Sequence, residues 1–176
     1  MRDFSGKSPS PVSDEHLRAI GAIVVNWSAL ELVMELMILS LYEIEIRRGL
    51  ILTSNLSFQN KLTILRVLAT HGAIKDKVEA RACNSLLDRI DKAHIKRNIV
   101  AHGWWAAGKV QGLAKRMAIH VRGRRLSTTS EQVPLSDLEV SANAILVLHA
   151  DLRALSKRLG IYPDLPDGAS PSPTPK

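Results

Sequence analysis

Apolar residues occupy nearly every position of the helical repeat between Ile20 and Leu41, which describes a central helix surrounded by others. Ser13 is placed to cap its start, and Asp14 and Glu15 sit where first-turn carboxylates favour the helix dipole. This first helix is predicted over residues 13–45. A narrow polar stripe of Ser28, Glu31 and Glu35 crosses it at helical spacing, beside Trp27.

A second helix is predicted from Ser57, carrying Leu62, Leu65 and Leu68 towards a stop at Gly72. A third starts near Asp76, and Val78, Ala82, Leu86, Ile90 and Ala93 trace a stripe that ends before Gly103. The last helix carries the clearest start signal. Ser136 and Glu139 form an S-x-x-E capping box just after Pro134, with Leu135 and Val140 placed to staple it. Its apolar face continues through Ile145, Leu148, Leu152, Leu155 and Leu159, and Gly160 closes it. Over residues 103–131 the helical period fails and Gly103, Gly108, Gly112 and Gly123 punctuate short segments, which predicts a hairpin or extended arm. No internal repeat is visible.

Composition marks off the ends. Five of the eight prolines (Pro163, Pro166, Pro171, Pro173, Pro175) crowd the last stretch with Ser, Gly and Thr. The chain of 176 residues therefore divides into a leader over 1–12, a single helical domain over 13–160 and a tail over 161–176. Both ends are expected to be disordered. Cys83 is the one cysteine, so neither an intrachain disulfide framework nor a multi-cysteine zinc module is possible. Residues 21–41 are apolar enough to imitate a membrane span, but Glu31 and Glu35 would each cost roughly 2.5–3.5 kcal/mol at mid-bilayer. A buried soluble helix is expected instead, with no membrane partner. The polar start of the chain lacks an apolar signal-peptide core, so the expected address is cytoplasmic.

The net charge is +7, and its excess is local. Lys92, Lys96, Arg97, Lys109, Lys115, Arg116, Arg122, Arg124 and Arg125 follow one another with no Asp or Glu between Lys92 and Ser130, leaving 15 basic against 17 acidic residues elsewhere. Such a segment is the electrostatic footprint of a phosphate-rich partner such as RNA. The plainer reading is a solvated face kept for solubility.

Familiar motifs fail. Gly6-Lys7-Ser8 lacks the preceding glycine and strand of a phosphate loop, and the six histidines contain no pair at three- or four-residue spacing. No cofactor or metal is implied. The remaining candidate is the run from Ile95 to Trp105. Arg97 continues the apolar stripe of the third helix, an expensive place for a guanidinium unless it is paired or opens into a cleft. Asn98 and His102 are i,i+4 neighbours able to touch on one face. Five steps of about 100° put His102 about 140° around the helix from Arg97. Either the helix frays near His102, or a second chain completes the site.

Arg97-Asn98, three residues, then His102 resembles the R-x4-6-H signature of the HEPN superfamily. The resemblance implies an all-α, HEPN-like helical bundle of four to five helices, here with a small extended or hairpin insertion, and a homodimer in which two motifs face each other. Many such domains are metal-independent endoribonucleases of bacterial toxin–antitoxin, antiviral-defence or CRISPR-associated type. The resemblance thus implies an RNA substrate and an antitoxin or defence-system partner protein. It makes His102 the general acid/base at the 2′-hydroxyl or the leaving 5′-oxygen and Arg97 the stabiliser of phosphate charge, with Asn98 orienting the imidazole or hydrogen-bonding the phosphate. Histidine, with an ordinary pKa of about 6.5, suits that task. Glu31 and Glu35 would support Arg97. Lys96, Lys109, Lys115, Arg116, Arg122, Arg124 and Arg125 would hold RNA, with Trp104 and Trp105 as stacking surfaces.

Each residue also has a structural reading. Arg97 can be the ion-pair partner of Glu31 or Glu35, His102 a helix cap, the two tryptophans core, and His94 purely structural. A non-catalytic RNA-, nucleotide- or protein-binding module and a structural oligomerisation subunit are the rival functions.

Overall fold

The hydroxyl of Ser13 accepts from the backbone N–H of His16 and so opens the first helix, α1 (Asp14–Leu41). The computed structural model of the chain describes residues 12–161, with the backbone alone at 121 and 122. The expected leader and tail lie outside the described residues except at Val12 and Ile161.

The first helix stops at Leu41 rather than continuing to Glu45. Glu43 adopts φ 55°, the left-handed region, and the Ile44 N–H turns back to the Leu39 carbonyl at 2.9 Å. Glu45 is then free to cap a further helix that the hydrophobic pattern did not show, α2 (Ile46–Thr53). Its carboxylate accepts from the N–H groups of Arg47 and Arg48 at 2.9 and 3.0 Å. Those two bonds hold its pKa below the usual carboxylate value. The short helix folds back on the first because Gly49 presents no side chain to Leu39: a Cβ there would lie 2.3 Å from Leu39 Cδ2.

The next two helices begin where expected. Ser57 caps α3 (Phe58–Thr70), accepting from Asn60 N–H at 3.2 Å, and Asp76 caps α4 (Lys77–Ala101), accepting from Val78 and Glu79. His102 is the C-cap residue of α4.

Beyond Gly103 the expected arm is a three-stranded antiparallel sheet of β1 (Trp104–Ala107), β2 (Leu113–Arg122) and β3 (Arg125–Pro134) in sequential order. Trp104 pairs with Met117, and the long hairpin runs from Leu113 opposite Pro134 to Arg122 opposite Arg125. The architecture is therefore mostly helical with a small sheet added, rather than helices alone.

The last helix, α5 (Leu135–Arg158), starts earlier than its capping box predicts. Pro134 is the N-cap, and the Leu135 N–H donates to Gly112 O at 3.3 Å, so the chain passes from ladder to helix without a side-chain cap. Ser136 and Glu139 lie inside the helix, and Val140 is exposed, so no staple closes. Gly160, at φ +63°, ends the helix as expected.

The core gathers around α1. Ile23, Trp27, Leu30, Met34 and Met37 are fully enclosed by Leu62 and Leu65 of α3, Cys83, Leu87 and Ile90 of α4, and Leu138, Ile145, Leu148 and Leu152 of α5. Each large apolar side chain so buried contributes roughly 1.5–3 kcal/mol. Among the described residues α1 alone is long and apolar enough to cross a membrane, and in this fold half of its most apolar window is buried against the other helices.

Candidate active site

Two members of the polar stripe of α1, Glu31 and Glu35, meet α3, while Ser28 is exposed and donates to Val24 O. Lys61 sits on the same side of α3 as Leu65 and Leu68 and is buried with them. Its Nζ lies 2.6 Å from Glu35 Oε1 and 3.3 Å from Glu31 Oε2. Trp27 Nε1 donates to the other oxygen of Glu31, and Thr53 Oγ1 donates to Glu35 at 3.4 Å. Glu31 and Glu35 are thus engaged by Lys61 and not by Arg97. The expectation that they pair with Arg97 is corrected, because Lys61 reaches the carboxylates from the helix they face. A lysine on an apolar stripe is the signal that would have found it.

Arg97 lies on the other side of Trp27. Its guanidinium carbon is 5.8 Å from the Trp27 ring centroid, within cation–π range. Nη1 donates to Asn98 Oδ1 at 3.0 Å, and Nε is buried without a hydrogen-bond partner among the described residues. No carboxylate lies within 4.0 Å of Arg97 among those residues, so it has no ion-pair partner among them.

Asn98 turns away from His102. Its Nδ2 lies 2.9 Å from Nε2 of His94, one turn earlier. Helical side chains lean towards the N-terminus, so Asn98 covers the turn before it and not the turn after. His94 thus touches the Arg97–Asn98 pair through the Asn98 amide. The 94, 98, 102 spacing allowed either pairing. The imidazole of His94 stacks on Phe58, with centroids 4.1 Å apart and planes 25° apart, and lies 5.7 Å from Trp27. Burial, and then the positive charge of Arg97, hold its pKa below the usual histidine value, while Asp91 and Glu31 pull weakly the other way.

His102 caps α4 with its side chain exposed to solvent, its backbone N–H donating to Asn98 O at 3.0 Å. Its imidazole makes no hydrogen bond to Arg97 or Asn98 among the described residues. The two tryptophans separate. Trp105 is half-buried against the core, with Nε1 donating to Val100 O at 3.0 Å, as its structural reading expects. Trp104 is 67% exposed on the outer face of the sheet, beside Met117.

The basic residues do not form one patch. Arg124 and Arg125 are exposed at the hairpin turn, Lys109 is exposed in the β1–β2 loop, and Lys115 is half-buried in β2. Arg116 donates to Glu131 at 2.8 Å, which offsets its charge. Lys96 is exposed on α4, beside the groove facing α5. The Arg122 side chain lies outside the described residues. No group of three or more His, Cys, Asp or Glu among the described residues is arranged to hold a metal ion.

The arrangement offers a fixed cation on an aromatic platform, an amide that orients it, and an exposed imidazole at the end of the same helix. Comparisons with models of protein families, with curated proteins and with solved structures find no match for this chain.

Proposed function

We propose that the protein is a HEPN-like, metal-independent endoribonuclease of bacterial toxin or defence type, acting in the cytoplasm as a homodimer. The observation that carries this reading is Arg97, held on Trp27 by Asn98 while Lys61 neutralises the nearest carboxylates. A buried-edge cation without a counter-charge is costly unless an anion arrives to complete it, and a phosphodiester is such an anion.

In this reading His102 takes the proton of a ribose 2′-hydroxyl. The 2′-oxygen then bonds to phosphorus as the P–O5′ bond breaks, and an imidazolium, supplied by the second copy's equivalent of His102, returns a proton to the 5′-oxygen. Arg97 stabilises the charge that gathers on the non-bridging oxygens. Trp104 and the exposed Lys109, Arg124 and Arg125 serve as the RNA-binding surface, and an antitoxin or defence partner would cover it.

Purified wild type and His102→Ala, incubated with labelled RNA in excess EDTA, test the reading. Cleavage by wild type alone, leaving a 2′,3′-cyclic phosphate, supports it; identical behaviour of the two proteins across pH and salt overturns it. One observation favours a second reading. The His102 imidazole stands apart from Arg97 and Asn98, which suits a module that binds RNA without cutting it. In that case His102→Ala binds RNA as wild type does, and Arg97→Ala binds it more weakly.

A further inference from the structure

We infer that His94 is a positioning residue for Arg97: as a neutral hydrogen-bond acceptor it fixes the Asn98 amide, and the amide fixes the guanidinium. This rests on the nuclease reading only where cleavage is the readout. A guanidinium only donates, so Asn98 must turn Oδ1 towards Arg97 Nη1, 3.0 Å away. Its Nδ2 then points at His94 Nε2, 2.9 Å away, and that nitrogen has to accept. The His94 proton is then on Nδ1, which gains no acceptor from Gln59: the atom 3.4 Å away is the Gln59 amide nitrogen, itself a donor to Asp91 at 3.1 Å, so the shorter contact to Asn98 decides the tautomer.

The ring cannot swing out of this role. Phe58 stacks on it from α3 and Trp27 bounds it from α1, so packing sets the plane of the ring. The charged groups around it are Asp91 and Arg97 on its own helix and Glu31 on α1, with Gln59 facing it from α3. Each carboxylate is already shared: Asp91 with Arg66 at 3.4 Å, and Glu31 with Lys61 at 3.3 Å and with the Trp27 indole. Burial and Arg97 together oppose a charge on the imidazole.

Protonation would set two donors against each other at 2.9 Å. Asn98 would have to rotate its amide and present Nδ2 to Arg97, another donor pair, so acid loosens Arg97 through two side chains. The acid limb of cleavage should then carry the titration of His94.

Two substitutions separate this role from simple packing. His94→Gln places a neutral carbonyl oxygen near Nε2 and cannot be protonated at working pH. His94→Phe keeps the stack on Phe58 and removes the acceptor. Relative to wild type at neutral pH, His94→Gln should keep kcat within about threefold and extend activity to lower pH. His94→Phe should lower kcat about tenfold or more with little change in KM, as expected when a transition-state contact loosens. Equal losses in both, with the wild-type pH profile retained, would overturn the inference.

If the wild-type protein does not cleave RNA, the nuclease reading fails and 15N NMR of the side chains still decides. The Arg97 guanidinium resonances should broaden as His94 is protonated in wild type, and lose that pH dependence in His94→Gln. Arg97 resonances indifferent to His94 would refute the positioning role on their own.

Discussion

The Lys61 ammonium lies 2.6 Å from the Glu35 carboxylate, in a position only 5% exposed on the lysine side. Burial alone would lower the lysine's pKa, but the hydrogen bond to Glu35 and the nearby charge of Glu31 outweigh it and raise it. The pair joins α3 to α1 and leaves Arg97 as the cation over the Trp27 ring.

Replacing Lys61 by Met should destabilise the protein by about 3–5 kcal/mol, because two inward carboxylates lose their cation. Chemical denaturation reads the loss. Adding Glu31→Gln and Glu35→Gln to that variant should recover part of it. A loss under about 1 kcal/mol in the single variant would contradict a buried pair.

His94 and His149 are both held below the ordinary histidine pKa, each chiefly by burial, with Arg97 and Arg153 adding to it. The unfolded chain therefore takes up protons first on acidification. Stability is full above the ordinary histidine pKa of about 6.5 and falls as pH drops through the lowered folded values. Denaturation midpoints between neutral and mildly acid pH should decline, and the slope should shrink when both histidines are replaced by Gln. An unchanged slope would show that neither titrates as stated.

RNA affinity should fall with salt, and Arg124→Ala with Arg125→Ala should make the salt dependence shallower by about 0.7 in log–log slope for each lost phosphate contact. Arg116→Ala should matter less, since Glu131 already occupies that guanidinium. Fluorescence anisotropy over a salt series checks both, and equal effects at the three positions would count against the assignment.

Gly49→Ala sets a methyl group against the buried Leu39 side chain, so either Leu39 leaves its rotamer or α2 lifts from α1. A loss of roughly 1–3 kcal/mol is expected. Thermal denaturation measures it, and Leu39→Ala in the same chain should relieve the clash while opening a cavity of its own.

Cys83 is fully buried, and burial pushes its thiol up to about 11. It should resist alkylation in the folded protein and react at the rate of unfolding. Prompt labelling without denaturant would show that α4 opens locally.

Local chemistry was legible where a signal and its partner lie within one turn. Ser13, Ser57 and Asp76 cap helices because each side-chain oxygen meets N–H groups two or three residues ahead, and Gly160 ends one through its own backbone. The apolar periods marked which faces are core, and the failure of the period after Gly103 marked the sheet. Where one signal had two possible partners, only packing chose. Glu45 continued an apolar pattern but caps α2, because Glu43 turns the chain first. Ser136 and Glu139 matched a capping box, but the pairing of β3 with β2 carries the chain into α5 from Pro134.

The Arg97–Asn98 pair followed from adjacency, and the sequence by itself determined that they share the end of one long helix. Which histidine Asn98 meets, and which cation meets Glu31 and Glu35, were decided by the tertiary structure. Helical spacing offers neighbours both one turn back and one turn forward, and it specifies no partner on another helix. The backward lean of helical side chains selects His94, and the packing of α3 on α1 brings in Lys61.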